Sequence, residues 1–378
     1  MVEVLTIDAA VRLALALQSG TSVRRSTAQD CMTVAVRAGL RYVNDGQPGL
    51  SRFKHGRGFV FKDAAGRRVT NPVTLKRVRA LAIPPAWTDV WISATPRGHI
   101  QAIGRDARGR KQYRYHAAWT AARDSGKFHR TVAFGQALPQ IRRRTEQHLR
   151  RRPLCRERVM ATLVRIMEKT SIRVGNDEYA RLNGSYGLTT MRSRHARVHG
   201  RHVNFDFRAK SGVLQHVDLE DARLARLVKQ CQELPGQTLF QYVDEHGVRR
   251  EVSSGDVNAY LRDVSGGDFT AKDFRTWTAT VLAAVELAHA DAQPETPTSV
   301  TARTRRLNAA IGVVAAQLGN TRTVCRQCYI HPAIVQGYLA GDTVTLAKRP
   351  RPVRGLTAAE SAVIRFLQRA DATSSRAA

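Results

Sequence analysis

Cys325-Arg326-Gln327-Cys328-Tyr329-Ile330-His331-Pro332 lies between two apolar patterns of helical spacing, 304–318 before it and 333–339 after it. Moving back along the chain, 274–290, 253–264 and 219–231 repeat that spacing. The C-terminal part is therefore expected to be mainly helical. A tyrosine beside apolar residues is ordinarily a packed ring with a satisfied hydroxyl. Tyr329 gains a further meaning only from what precedes it.

Upstream of these helices, 187–191, 195–199, 202–207 and 212–217 predict a small β-rich insert, with Lys210 in the turn between the last two. Before the insert, 133–148 and 158–169 read as helices, and Ser171-Ile172-Arg173-Val174-Gly175-Asn176 ends the second. The N-terminal part is strand-rich. Residues 40–43, 59–61, 90–93 and 99–104 predict strands, with turns at Asn44-Asp45-Gly46 and Asp63-Ala64-Ala65-Gly66. A helix is expected over 73–81, stopping before Pro84-Pro85. An amphipathic helix is expected over 8–18, followed by a linker with Arg24 and Arg25. Residues 293–298 read as a Pro-containing linker, and 350–378 as a loosely attached tail with a short helix at 358–368. The fold class is α+β. It divides into an extension (1–35), a β-rich domain (36–122), a mainly helical domain with a small β-sheet (123–349) and the tail (350–378).

The chain has 378 residues and carries 61 Lys+Arg against 31 Asp+Glu, a net charge of +30 at pH 7. Such an excess strains a compact monomer by self-repulsion and points to a polyanionic partner. A membrane surface fits less well, because the basic residues are spread along the chain and not gathered on one amphipathic helix. Arginine outnumbers lysine, which suits two-pronged contacts with phosphate. Arg105-Asp106-Ala107-Arg108-Gly109-Arg110-Lys111-Gln112-Tyr113-Arg114-Tyr115 interleaves basic residues with aromatics. Arg105, Arg110, Gln112, Tyr113 and Tyr115 are candidates for nucleic-acid contact. Five scattered cysteines fit a reducing compartment better than a disulfide framework. Cys325 and Cys328 lack a second Cys/His pair at zinc-finger spacing and read as structural. The N-terminal apolar run 9–17 is interrupted by Arg12 and preceded by Glu3 and Asp8, so it does not read as a signal peptide. No apolar run approaches a membrane span. An intracellular protein is expected.

Attack on a phosphodiester without a metal needs a nucleophile, cations on the non-bridging oxygens and an acid for the leaving oxygen. Tyrosine has a free pKa of about 10, so roughly one molecule in a thousand is phenolate at pH 7. Neighbouring arginines would raise that fraction. The chain offers Arg173, Lys210, Arg275, Asn320 and Tyr329. It contains no GxxxxGK[ST] phosphate loop, no HExxH and no clustered carboxylates for metal-assisted hydrolysis.

Several segments, in order, resemble the type IB DNA topoisomerases of the compact poxvirus-like branch found in bacteria. Tyr42-Val43-Asn44-Asp45 and Ile83-Pro84-Pro85-Ala86-Trp87-Thr88-Asp89-Val90-Trp91 resemble the N-terminal domain of that family, and the Arg105 to Tyr115 stretch resembles its DNA-contacting strand. Arg173-Val174-Gly175, Lys210, Lys272-Asp273-Phe274-Arg275-Thr276 and Cys328-Tyr329-Ile330-His331-Pro332 resemble its catalytic landmarks. The likeness covers roughly 36–345. It implies that Tyr329 forms a 3′-phosphotyrosyl link, that Arg173 and Arg275 bind the scissile phosphate, and that Lys210 protonates the leaving 5′ oxygen with help from Arg173. It further implies that Asn176 and Lys272 contact DNA. Many relatives have His nine residues before the tyrosine; here Asn320 stands there, able to donate a hydrogen bond but not to act as acid or base. The expected enzyme is an isomerase that relaxes supercoils of either sign on double-stranded DNA. No ATP, metal or other cofactor is needed, and a monomer closes as a clamp around the duplex in the cytoplasm, on the nucleoid. Two alternatives stand beside this reading. A tyrosine recombinase uses a similar residue set, but usually carries His where Lys272 stands. A non-enzymatic DNA-binding protein would explain the charge and leave the ordered set from Arg173 to Tyr329 as coincidence.

Overall fold

The computed structural model describes residues 31–107, 109–291, 299–346 and 353–377. The expected helix 8–18, the basic linker at Arg24 and Arg25, and the linker 293–298 lie outside the described residues. The chain divides into two compact units, Met1–Gly126 and Lys127–Ala378.

The first unit is built on one antiparallel sheet. Its strands are β1 (Gly49–His55), β2 (Gly58–Lys62), β3 (Thr88–Ser93), β4 (Ile100–Arg105) and β5 (Lys111–Tyr115), in the order β2-β1-β3-β4-β5. Leu50, Phe61, Val90, Ile92 and Ala102 are buried against Val78 of helix α1 (Pro72–Ala80), forming a small core. Asn71 caps α1 by accepting from the Thr74 N–H at 3.0 Å, and Pro72 starts it where no donor is lost. β1 and β3 come so close that a Cβ on Gly49 would meet the Trp91 indole at 2.2 Å, which restricts that position to glycine. The edge strand β5 leaves Tyr113 and Tyr115 exposed and stacked, ring centres 5.8 Å apart.

Strand β1 has no counterpart in the sequence reading, because Ser51-Arg52-Phe53-Lys54-His55 lacks the β-branched residues that mark strands. Residues 40–43, expected as a strand, make only a single bridge, Arg41 to Gly98. The Val43 N–H goes to His99 Nδ1 at 3.0 Å and not to a neighbouring strand, so pairing stops there.

In the second unit, helix α2 (Ala117–Leu149), which begins in the first, leads to α3 (Arg156–Thr170). In α3 the run Val159 to Val164, with Ile166 and Met167, is buried, as expected of a helix surrounded by core. It ends at Ser171 in left-handed conformation, φ 58°. A short helix α4 (Asp177–Asn183) follows. Then come the antiparallel strands β6 (Ala196–His199), β7 (His202–Arg208) and β8 (Leu214–Glu220), the helix α5 (Ala222–Glu233) and a hairpin of β9 (Gln241–Val243) and β10 (Arg249–Glu251). Helices α6 (Ser254–Ser265), α7 (Ala271–Asp291), α8 (Val300–Leu318), α9 (Arg322–Cys328), α10 (Pro332–Ala340) and α11 (Ala358–Ala377) complete the unit.

Three expectations need correction here. Residues 187–191 form a 3-10 turn at Leu188–Thr190 and not a strand, because their N–H groups are drawn to the chain around Arg173. The helix expected from 219 begins at Ala222; Asp221 caps it by accepting from the Arg223 and Leu224 N–H groups, while Leu219 still pairs with Val203 in the sheet. The stretch read as a loose tail carries α11, twenty residues long, whose Ala362, Val363, Ile364, Phe366 and Leu367 are buried in the main core. Glu360 of α11 accepts from Arg142 at 2.7 and 2.9 Å and from Trp277 Nε1 at 3.2 Å, and Arg142 also reaches Glu168 at 2.6 Å.

Candidate active site

Arg275 sits on the first turns of α7, and the sequence places it on the helix face turned to the core. It is 5% exposed. Its guanidinium donates to the Ser171 carbonyl and, at 2.8 Å, to the Leu318 carbonyl. Both acceptors are helix-end carbonyls with no partner inside their own helix. Two helix C-termini, of α3 and α8, thus hold one arginine, as their negative dipole ends favour. Its Cζ lies 5.3 Å from the centre of the Tyr329 ring. Burial, then the like charge of Arg173, push the Arg275 pKa down; Tyr329 opposes them.

Arg173 lies on the extended stretch after α3. Its carbonyl accepts from the Leu188 N–H at 2.9 Å, and Val174 accepts from the Thr189 N–H at 2.7 Å. The fit is close: a Cβ on Gly187 would stand 2.6 Å from the Arg173 carbonyl oxygen and from Gly175. The sequence reading passed over Gly187, though a glycine flanked by Tyr186 and Leu188 is a signal for close backbone approach. The Arg173 guanidinium donates to Asn320 Oδ1. Asn320 follows α8, which ends at Gly319 with φ 59°. Its Nδ2 is buried without a hydrogen-bond partner among the described residues; the neighbouring Cys325 thiol, a weak acceptor, is the group closest to that role. Arg275 Nε is likewise buried without a partner among the described residues.

Tyr329 closes α9 at φ −131°, ψ −35°, half-buried against the main core. Cys325, one turn earlier, is fully buried, and burial raises its thiol pKa. Neither Cys325 nor Cys328 is in a disulfide bond. His331 caps α10, its Nδ1 accepting from the Ala333 N–H at 3.1 Å, a structural role.

The site therefore consists of two contact pairs, Arg173 with Asn320 and Arg275 with Tyr329, and the two arginines line one small cleft. Lys210 is in neither pair; it stands exposed on the 3-10 turn Lys210–Gly212 between β7 and β8. Its neighbour Ala209 nevertheless lines the same small cleft as Arg173, Arg275 and Gln215. Lys272 is exposed one turn before Arg275. Asn176 is exposed and caps α4, its Oδ1 accepting from the Tyr179 N–H at 3.0 Å. In the first unit, Arg105 pairs with Asp89 at 3.5 Å, Arg110 with Asp106 at 2.7 Å, and Gln112 donates to Asp106 at 2.9 Å. Among the described residues no group of His, Cys, Asp and Glu could hold a metal ion, and no helix is long and apolar enough to cross a membrane.

Comparison with known proteins bears on the whole arrangement. Residues 116–341 match the family described as the eukaryotic DNA topoisomerase I catalytic core. Residues 58–106 match the bacterial DNA topoisomerase IB N-terminal domain. A DNA topoisomerase 1B of Acanthamoeba polyphaga mimivirus is 30% identical over 286 residues, covering 75% of this chain and 85% of the relative. The chain belongs to the type IB DNA topoisomerase family. This topoisomerase is thus an isomerase that acts on DNA. Arg173, Arg275, Asn320 and Tyr329 fall within the matched catalytic core, and Arg105 falls within the matched N-terminal domain.

Proposed function

We propose that this topoisomerase relaxes positive and negative supercoils of double-stranded DNA by transient cleavage of one strand through Tyr329. The observation that carries the reading is that Arg173 bonds Asn320, Arg275 packs against the Tyr329 ring and both arginines line one cleft, with Arg275 Nε and Asn320 Nδ2 buried without a hydrogen-bond partner among the described residues. The phenolic oxygen of Tyr329 attacks the scissile phosphorus and gives up its proton to water. The bond from phosphorus to the 5′ oxygen breaks, and that oxygen takes a proton from Lys210, assisted by Arg173. A 3′-phosphotyrosyl ester and a 5′-hydroxyl result. Arg173 and Arg275 neutralise the charge that grows on the non-bridging oxygens, and Asn320 Nδ2 donates to one of them. The ester stores the energy of the broken bond, so the 5′-hydroxyl reseals it without ATP, and no step requires a metal. Between the two events the free end swivels, which releases turns of either sign.

Arg105, Arg110, Gln112, Tyr113 and Tyr115 on and beside β5, with Asn176 and Lys272, would hold the duplex. Residues 36–122 would serve as the DNA-binding domain and 123–349 as the catalytic one. The enzyme would work as a monomer on the nucleoid.

The test is relaxation of supercoiled plasmid in EDTA without ATP, by wild type and Tyr329→Phe, with aliquots quenched in SDS to trap adduct. Wild type should relax both signs and yield a covalent protein–DNA species, and the variant should do neither. Relaxation surviving in Tyr329→Phe would overturn the assignment. Strand exchange between marked duplexes would point to a recombinase.

A further inference from the structure

Helix α7 carries a second group aimed at Tyr329. Thr280 is fully buried, five residues beyond Arg275. Its Oγ1 accepts from the His331 N–H at 3.1 Å and is within donating distance of the carbonyls of Tyr329 at 3.2 Å and Thr276 at 2.8 Å. Threonine in a helix commonly bonds back to the carbonyl four residues earlier. The other two contacts go beyond that habit: they grip the chain on both sides of Ile330.

That grip falls where the backbone has least support of its own. Tyr329 has left the geometry of α9, and α10 starts only after its cap at His331. Tyr329 and Ile330 both send their N–H groups to the Cys325 carbonyl at 3.0 Å, while Ile330 is sealed in the core. The Tyr329 carbonyl and the His331 N–H are tied down by Thr280.

We propose that Thr280 is a positioning residue for Tyr329: its hydroxyl fixes the joint between α9 and α10 so that the phenol meets the phosphate held by Arg275 on the same helix. This rests on Tyr329 being the nucleophile. Thr280 touches no reacting atom and acts through the backbone.

The test is single-turnover formation of covalent adduct on a short duplex whose cleaved strand dissociates. It is run on the normal substrate and on one with sulfur in place of the scissile 5′ oxygen, a leaving group that needs no acid. Thr280→Val, which keeps the shape and removes the hydroxyl, should slow cleavage about 10- to 100-fold on both substrates, since small misplacements of a reacting group have effects of that order. DNA affinity should stay within about twofold of wild type, because Thr280 meets no ligand. Thr280→Ser should restore most of the rate. Lys210→Ala should recover on the sulfur substrate. If melting shows Thr280→Val unfolded, Thr280→Cys, with its weak acceptor, carries the same expectation. Wild-type speed in Val or Cys, equal slowing in Ser, or recovery of Val on sulfur would each overturn the inference. Tyr329→Phe runs beside them: adduct in that variant sinks the underlying reading, whereas its absence beside a fast Thr280→Val sinks only the role of Thr280.

Discussion

At the level of single residues, the most informative position is Asn320. Its carbonyl oxygen takes a hydrogen from Arg173, and its amide nitrogen is buried without a hydrogen-bond partner among the described residues. Asn320→Asp keeps the acceptor, removes the donor and adds a negative charge. Pairing with Arg173 should hold or raise the melting temperature, whereas cleavage should fall about 100-fold, the usual scale for losing a donor to a developing anion. Melting curves and single-turnover cleavage would separate these effects; a parallel loss of both would contradict the proposed role. The candidate residues were legible in the sequence because arginine, lysine and tyrosine types recur in order at known landmarks. What held them was not. The carbonyls of Ser171 and Leu318 and the hydroxyl of Thr280 act through backbone geometry, which residue type does not encode.

Among the elements, α11 departs most from its sequence. The sequence reads there as a short helix at 358–368 in a loosely attached tail. In the fold Glu360 is 6% exposed. Burial opposes its charge, but hydrogen bonds from Arg142, the Thr357 N–H and Trp277 outweigh this and hold its pKa below the usual 4.5. A depressed carboxylate pKa contributes stability that is present above the unfolded value and fades as pH falls through the folded one. Glu360→Gln should therefore flatten unfolding below about pH 4.5, in an acid titration followed by circular dichroism. At pH 7 it leaves Arg142 paired with Glu168 and donating to the Gly355 carbonyl, so the loss should fall below the roughly 3–5 kcal/mol of a buried pair that leaves an uncompensated charge. A wild-type acid limb in the variant would rule this out. Most of the long helices were readable from their periodicity, but α2 begins at Ala117 and not at 133, and α11 runs on to Ala377 and not only to 368. The failures share a cause: strand β1, the bridge at Arg41 and the turn 188–190 are fixed by partners far away in sequence, which local pattern does not carry.

For the molecule as a whole, the net charge of +30 sets the physics of encounter with DNA. Affinity should fall steeply with salt, because each cation that meets a phosphate releases condensed counterions. Around β5 the cations are already engaged: Arg110 with Asp106, Lys111 with Asp45, Arg105 with Asp89. Arg110→Ala should weaken binding about equally on unrelated sequences and reduce the slope of log affinity against log salt by about one. Fluorescence anisotropy at several salt concentrations would measure this, and a changed sequence preference would mean that Arg110 reads bases.

The Arg142–Glu360 pair also sets a clock on synthesis. A ribosome lays the chain down from its N-terminus, and these partners are separated by 218 positions. Arg173, Arg275 and Tyr329 have all been made before Glu360 exists to hold Arg142 and Trp277. A nascent chain can thus carry the whole candidate site while Trp277 of α7 still lacks its Glu360 partner, so that the packing of α7 is completed only when α11 arrives.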